Sequence, residues 1–273
     1  MPIKDLLVLV ERTAAASQRL EFALAIAARF SARVTAIALV PHPYTPAMVG
    51  VHIPADLVRA QIEQAEREAE IVLEEAKQLA HSRGLELATT MASGPINGLE
   101  RAIARAAHHA DFCVVGQPDG TEMALQVESA FLTTGRPALI VPYIGAPPGP
   151  VRRAVVAWNA SREAARAAHD ALPFLVEAEH TTVLAIDPEP LEGTTPGAEL
   201  TAHLARHGVR VEMASLPSGG LTIGDAILAY AADDGADLLV MGGYGHSRMR
   251  EIVLGGATRQ VLAQMPLPVL MSH

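Results

Sequence analysis

The sequence is poor in cysteine, in aromatic residues and in charge. Of its 273 residues only Cys113 is a cysteine, so no disulfide can form within the chain and zinc sites built from several cysteines are excluded. Aromatic residues make up 4%, too few for the stacking platforms that bind single-stranded nucleic acid. No block of Lys and Arg is present and the formal net charge is -9, so we expect no nucleic-acid partner.

The sequence also lacks an apolar run that could span a membrane. Its longest uncharged stretch, 34–55, is broken by four prolines and is typical of a strand followed by a loop. The first residues lead directly into a strand-like segment without the pattern of a signal peptide, so we expect a cytoplasmic protein with no membrane partner. Charged residues are 19%, below the roughly 25% of an ordinary globular chain, which indicates much covered surface and favours a homodimer.

What the sequence does contain is one internal repeat. The segment from Asp111 to Gly116 resembles the segment from Asp237 to Gly242, and the apolar segments 137–141 and 268–271 also match. Between the halves, 144–150 is rich in proline and glycine, which is typical of a stiff linker. We predict a first domain at 1–143, a linker at 144–150 and a second domain at 151–273.

In each half, short apolar strands alternate with helices. The pattern predicts strands near 6–10, 34–40, 85–91, 112–115 and 138–141, and near 154–158, 181–186, 209–214, 238–241 and 269–271. This alternation is typical of α/β domains in which a five-stranded parallel sheet has helices on both faces. We expect the last strands of the two halves, 138–141 and 269–271, to pair or pack together, which would cover their edges.

A glycine-rich loop follows the fourth strand of the second half. Gly242 and Gly245 would let the backbone turn sharply, and Gly255 and Gly256 precede the last helix. Free N–H groups at a helix N-terminus bind phosphate, and the loop also carries the cationic side chains of His246, Arg248 and Arg250. The alternative interpretation is that the glycines serve only as caps and tight turns.

The spacing of these glycines, with two residues and then nine between them, resembles the universal stress protein family. The segments 156–166 and 265–271 are similar to that family as well. The resemblance implies a flavodoxin-like (Rossmann-like) sheet of order 3-2-1-4-5 in each half, and ATP or AMP bound by some members. It also implies a role in stress survival through ligand sensing or partner binding, with little or no catalytic turnover.

The resemblance assigns the possible ATP or AMP site to the second half. Its residues would be Asn159 and, along the loop and the start of the last helix, Gly242, Gly245, His246, Arg248, Gly255, Gly256 and Ala257. Two positions depart from the family pattern: Gly256 replaces a Ser or Thr whose hydroxyl contacts phosphate, and Asn159 replaces an Asp. Thr258 is a substitute hydroxyl donor. In the first half the loop is five residues shorter and contains Asp119 and Glu122, so we interpret that site as degenerate.

Two other functions stay open. An enzyme that hydrolyses or transfers an adenylyl group would need a base at the phosphate, for which only His246 is a candidate; we assign no catalytic residue. A scaffold for an unidentified protein partner would need no small ligand. Adjacent His108 and His109 do not face one point on a helix, so we predict no metal site there, and Cys113 should be buried.

Overall fold

The structure is a computed structural model that describes residues 3–43, 54–95, 98–117, 134–147, 149–188, 195–243 and 256–273. These residues form two compact units. The described residues of the amino-terminal unit are 3–116 and 134–136, and the carboxy-terminal unit comprises 137–273 together with Gln117. The boundary between the two compact units therefore lies before the fifth strand of the chain, which belongs to the carboxy-terminal unit.

The amino-terminal unit is a parallel sheet with three described helices. Its strands are β1 (Asp5–Leu9), β2 (Arg33–His42), β3 (Leu87–Pro95) and β4 (Phe112–Gly116), and its helices are α1 (Ala14–Phe30), α2 (Ala55–Ser82) and α3 (Leu99–Ala107). The strand order is β3-β2-β1-β4. Every residue of β1 after the first is buried, whereas β3, at the end of the order, is mostly half-exposed.

The carboxy-terminal unit contains the remaining strands, which are β5 (Ala138–Val141), β6 (Arg153–Ala157), β7 (His180–Ile186), β8 (Val211–Leu216), β9 (Leu238–Gly242) and β10 (Val269–Ser272). Its helices are α4 (Arg162–Asp170), α5 (Leu172–Leu175), α6 (Ala198–Arg206), α7 (Ile223–Asp233) and α8 (Ala257–Gln264). The order is β8-β7-β6-β9-β10, all parallel, followed by β5, which pairs antiparallel with β10. The predicted pairing of the two last strands is confirmed.

The predicted fold class is confirmed as well. Both units are α/β with parallel β-α-β connections, and the second half has the expected order 3-2-1-4-5. After the third strand the chain crosses the sheet to pair on the other side of the first strand. Because such connections are right-handed, the helices before and after this crossing lie on opposite faces.

Two equivalent aspartates fasten the first strand of each half. The carboxylate of Asp111 accepts from the backbone N–H groups of Lys4 and Asp5, at 2.6 and 3.0 Å. The carboxylate of Asp237 accepts from the N–H groups of Arg152 and Arg153, at 2.8 and 2.9 Å. The repeat seen in the sequence is thus a repeat of structure, at the amino-terminal edge of the strands.

Several helices end in the same left-handed turn. Ser31, Gly84, Gly208 and Gly235 have φ of 51°, 72°, 84° and 65°, and the next residue donates its N–H to a carbonyl five positions earlier. Two predicted strand starts, at 85 and 209, are therefore wrong. Those apolar residues close helices α2 and α6, and strands β3 and β8 begin at 87 and 211.

Candidate functional site

The candidate site lies at the carboxyl ends of β6 and β9. In an open parallel sheet, ligands bind where the strand order reverses, and β6 and β9 are the pair at that point in the second half. Asn159 follows β6, Gly242 ends β9, and Gly256 and Ala257 begin α8. Since α8 connects β9 to the parallel strand β10, its first turn returns to this same edge of the sheet.

Four further residues of the predicted site lie outside the described residues. They are Gly245, His246, Arg248 and Gly255. The acidic residues Asp119 and Glu122 of the first half lie outside them too. The assignments to these positions stay predictions.

Gly242 is a point of close approach between β9 and α4. A Cβ added there would lie 2.5 Å from the backbone nitrogen of Ala164 and 2.7 Å from the carbonyl carbon of Glu163. Those atoms belong to the helix backbone and cannot move aside alone. The packing of strand on helix therefore requires glycine at 242 whether or not a ligand is bound.

The turn from β6 into α4 is held by its own polar side chains. Asn159 Oδ1 accepts from the N–H of Ser161 at 3.1 Å, and Ser161 Oγ accepts from the N–H of Ala164 at 3.1 Å. Ser161 is thus the N-cap of α4. Ala160 between them has φ of 57°. This left-handed conformation is energetically unfavourable for a residue that has a Cβ atom. The acceptor of Asn159 is thus engaged locally in an Asx turn.

A buried carboxylate lies beneath this turn. Glu163 is only 2% exposed, in the first turn of α4, and it pairs with the guanidinium of Arg162. Burial by itself raises the pKa of Glu163, but hydrogen bonds from Arg162 and from its own backbone N–H, with the nearby His273, lower it overall. Glu163 therefore forms an ion pair with Arg162 while its Cβ packs beside Gly242. Sequence reasoning missed this residue because an acidic side chain in the first turn of a helix is common.

Helix α8 begins at a residue without a side chain. Gly256 occupies the cap position with φ of −47° and ψ of 150°, so the cap residue itself accepts no side-chain hydrogen bond from the first turn. Thr258, the substitute hydroxyl donor, is buried. An uncapped first turn presents backbone N–H groups and the positive end of the helix dipole, which together attract an anion.

The equivalent crevice in the first half is filled by an arginine. Arg19 of α1 is 3% exposed; its Nε donates to the carbonyl of Leu9 at 2.8 Å and its Nη2 to Glu11 at 2.5 Å. A Cβ at Gly116 would lie 2.2 Å from Arg19 Nη1. The guanidinium thus lies between the carboxyl ends of β1 and β4, where a ligand of that half would bind. Sequence reasoning missed it, since a lone arginine on a helix gives no such signal.

Cys113, Asp234 and Asp237 are not part of the candidate site. Burial raises the pKa of Cys113 to about 12, so its thiol is protonated near neutral pH. Over the part of the chain that the structure describes, no three His, Cys, Asp or Glu side chains converge on a point that could hold a metal ion. At the opposite edge of the sheet, Asp234 pairs with Arg153, and Asp237 accepts from the N–H groups of Arg152 and Arg153.

The second half, which carries the uncapped helix and the close-packed glycine, also matches a family model. The model is "Universal stress protein family" and it spans residues 150–273. Residues 150–273 belong to the universal stress protein family. The sequence resemblance to that family is confirmed.

Similar proteins agree with this assignment. Universal stress protein Slr1230 of Synechocystis is 50% identical over 46 residues, which span 17% of this chain and 16% of that protein. A universal stress protein from Archaeoglobus fulgidus has a similar fold, with a TM-score of 0.75 at 19% identity, covering 97% of this chain and 94% of its own. A structure from Pseudomonas aeruginosa UCBPP-PA14 gives 0.57 at 14% identity, covering 98% and 92%. The fold similarity to both extends over nearly the whole chain, beyond the universal stress protein model.

Among the helices within the described ranges, none is long and apolar enough to cross a membrane. The longest, α2, has charged residues along most of its exposed positions.

Proposed function

We propose that this chain is a tandem universal stress protein that binds an adenine nucleotide, ATP or AMP, in its second half. It would act as a cytoplasmic stress-response sensor and not as an efficient catalyst. The two sequence repeats, 1–143 and 151–273 joined by 144–150, would carry one degenerate and one competent site.

The observation that carries this proposal is the contrast between the two crevices. In the second half, the first turn of α8 begins at Gly256, which has no capping side chain, and it brings the positive end of the helix dipole to the carboxyl ends of β6 and β9. In the first half, the corresponding position is filled by the guanidinium of Arg19 and balanced by Glu11. A nucleotide is therefore expected in one half only.

Two features make us expect weak binding. Gly256 lacks the hydroxyl that would donate to a phosphate, and a hydrogen bond to a charged group is worth about 1.5–3 kcal/mol, or roughly tenfold to a hundredfold in affinity. The carboxylate of Glu163, whose Cβ lies beside Gly242, adds a smaller repulsion because Arg162 compensates part of its charge. We propose AMP or ATP binding in the micromolar range or weaker.

A ligand-free interaction scaffold is the second candidate. It is favoured by Gly242, because packing against α4 explains this glycine without a ligand. A weak nucleotide-hydrolysing enzyme is the third, and it would depend on His246. In the scaffold interpretation the functional contact is with an unidentified protein partner, and we propose a homodimer in either case.

Calorimetry with ATP and AMP tests the site. Trp158 is the single tryptophan and adjoins Asn159, so its fluorescence should report the same binding event. We expect Gly245→Asp to abolish binding, because a carboxylate would enter the phosphate cradle. Gly256→Ser should tighten binding about tenfold, since the negative φ at this position accepts a side chain and the new hydroxyl can donate.

Gly256→Ala is the matched control, because it adds the same Cβ without the hydroxyl. Binding that survives Gly245→Asp unchanged would locate the ligand elsewhere. If neither the wild type nor Gly256→Ser binds ATP or AMP, the scaffold is the correct interpretation. Release of labelled phosphate from ATP, lost in His246→Ala, would establish the enzyme instead. Light scattering at micromolar concentration tests the dimer, since one chain has a mass of 28.8 kDa.

A further inference from the structure

Two histidine rings contact each other edge to face at the end of helix α6. His203 and His207 are four residues apart, the spacing that brings side chains together on one side of a helix. Their ring centroids are 4.7 Å apart with an interplanar angle of 64°. His203 is half-buried and His207 is exposed, so a solvent-borne ion can reach the pair.

The separation of the rings suits a shared metal ion. Imidazole nitrogens bind Zn²⁺ at about 2.0–2.1 Å, so two imidazoles on one ion at an angle of about 90–110° have centroids roughly 4.5–5 Å apart. The observed 4.7 Å lies within that range. We propose that His203 and His207 are two ligands of one divalent transition metal ion, Cu²⁺ or Zn²⁺, and that water completes its coordination.

The donor atoms favour such an ion over Ca²⁺ or Mg²⁺. Imidazole nitrogens are good ligands for Cu²⁺ and Zn²⁺, whereas Ca²⁺ and Mg²⁺ prefer oxygen ligands. The neighbouring Arg206 repels a cation, but the carboxyl end of α6 attracts one through its dipole. A hard cation binds imidazole too weakly to be held here, and Cu²⁺ should bind most tightly of the divalent ions.

The site is independent of the proposed nucleotide site. Helix α6 runs from the carboxyl edge of the sheet back to the start of β8, so its last turn lies at the opposite edge from Asn159 and Gly242. Neither histidine contributes to the candidate site, and metal binding can be measured without any nucleotide.

Calorimetry with Cu²⁺ and with Zn²⁺, each added alone to the full chain at pH 7.5, tests the proposal. We expect one site with Cu²⁺ bound more tightly than Zn²⁺, weakened at least tenfold by His207→Ala and by His203→Gln. His203→Gln keeps most of the side-chain volume, and circular dichroism checks that both variants are folded. The double variant should bind the metal only slightly more weakly than either single variant, because removing one histidine already abolishes the chelate.

The matched control is His109→Ala, which removes a histidine from the turn after α3, far from α6 in the sequence. It should leave the affinity within about twofold. Unchanged affinity in either His203→Gln or His207→Ala would overturn the proposal, as would loss of the site in His109→Ala.

Discussion

Replacing Gly242 by alanine should push strand β9 away from helix α4. The new Cβ would lie 2.5 Å from Ala164 N, 2.7 Å from Glu163 C and 2.8 Å from Glu163 Cβ, whereas unstrained contacts between such atoms are about 3.5–4.0 Å. Strand and helix must therefore separate by roughly 1 Å at the point where they pack most closely. Overpacking of this kind typically costs 1–3 kcal/mol, and we expect about 3 kcal/mol here because the obstructing atoms are mainly backbone.

Gly116, the equivalent glycine of the first half, provides the comparison. Its added Cβ would lie 2.2 Å from Arg19 Nη1, which is the tip of a flexible side chain. Gly116→Ala should therefore destabilise mainly by displacing that guanidinium from its hydrogen bonds to Leu9 and Glu11, at about 1.5–3 kcal/mol. In an Arg19→Met background this cost should largely disappear.

Urea unfolding of the single and double variants measures both effects. Far-UV circular dichroism follows the whole chain, and the fluorescence of the single tryptophan, Trp158, follows the carboxy-terminal unit. We expect a coupling free energy of about 1–2 kcal/mol between Gly116→Ala and Arg19→Met. For Gly242→Ala and Glu163→Ala the coupling should be below about 0.5 kcal/mol, because alanine keeps the obstructing backbone and Cβ. A cost below about 1 kcal/mol for Gly242→Ala, or equal couplings in the two cycles, would refute this account of the glycines.

Three further outcomes follow from single side chains. Thr181 Oγ1 is the buried side-chain oxygen without a hydrogen-bond partner in the described part of the chain, so Thr181→Val should stabilise by about 1 kcal/mol in urea unfolding. Thr182→Val should destabilise instead, since that hydroxyl has a partner. Ser31→Gly and Ala160→Gly, at φ of 51° and 57°, should each raise the free energy of unfolding by about 1 kcal/mol; no gain at either position would contradict the assigned backbone strain. Cys113, with its pKa raised to about 12, should not react with a thiol reagent at pH 8 until urea is added, and rapid labelling of the native protein would show that it is not buried.

The fold was predictable because its signals are local and repeated. Alternating apolar strands and helices, together with the match between 111–116 and 237–242, specify two copies of one α/β topology. The errors in strand starts have one cause. Leu85 and Val209 are apolar and follow a glycine, a pattern that predicts the start of a strand. In the structure each donates its N–H back to a helix carbonyl.

The candidate site was predictable in position but not in the role of each residue. The strand order and the glycine spacing locate the crevice, yet neither reveals that Gly242 contacts the backbone of α4. Likewise, the sequence does not show that Asn159 Oδ1 is engaged by Ser161, or that Arg19 reaches across to Glu11. The Gly242 contact depends on segments far apart in the chain, and the other two depend on local side-chain conformations. A single sequence shows neither.

The antiparallel pairing of β5 with β10 limits how this protein can be divided. The sequence repeats end near residue 143, but β5 belongs to the compact unit of the second half, where Leu139 and Ile140 are buried against the last strand. A fragment of 151–273 would leave the edge of β10 bare, with Val269 and Leu270 exposed to any strand that can pair there. The strand most readily available to replace β5 is β10 of another fragment. A fragment cut between the repeats would therefore self-associate, so the sequence repeat of the second half does not fold as an independent unit.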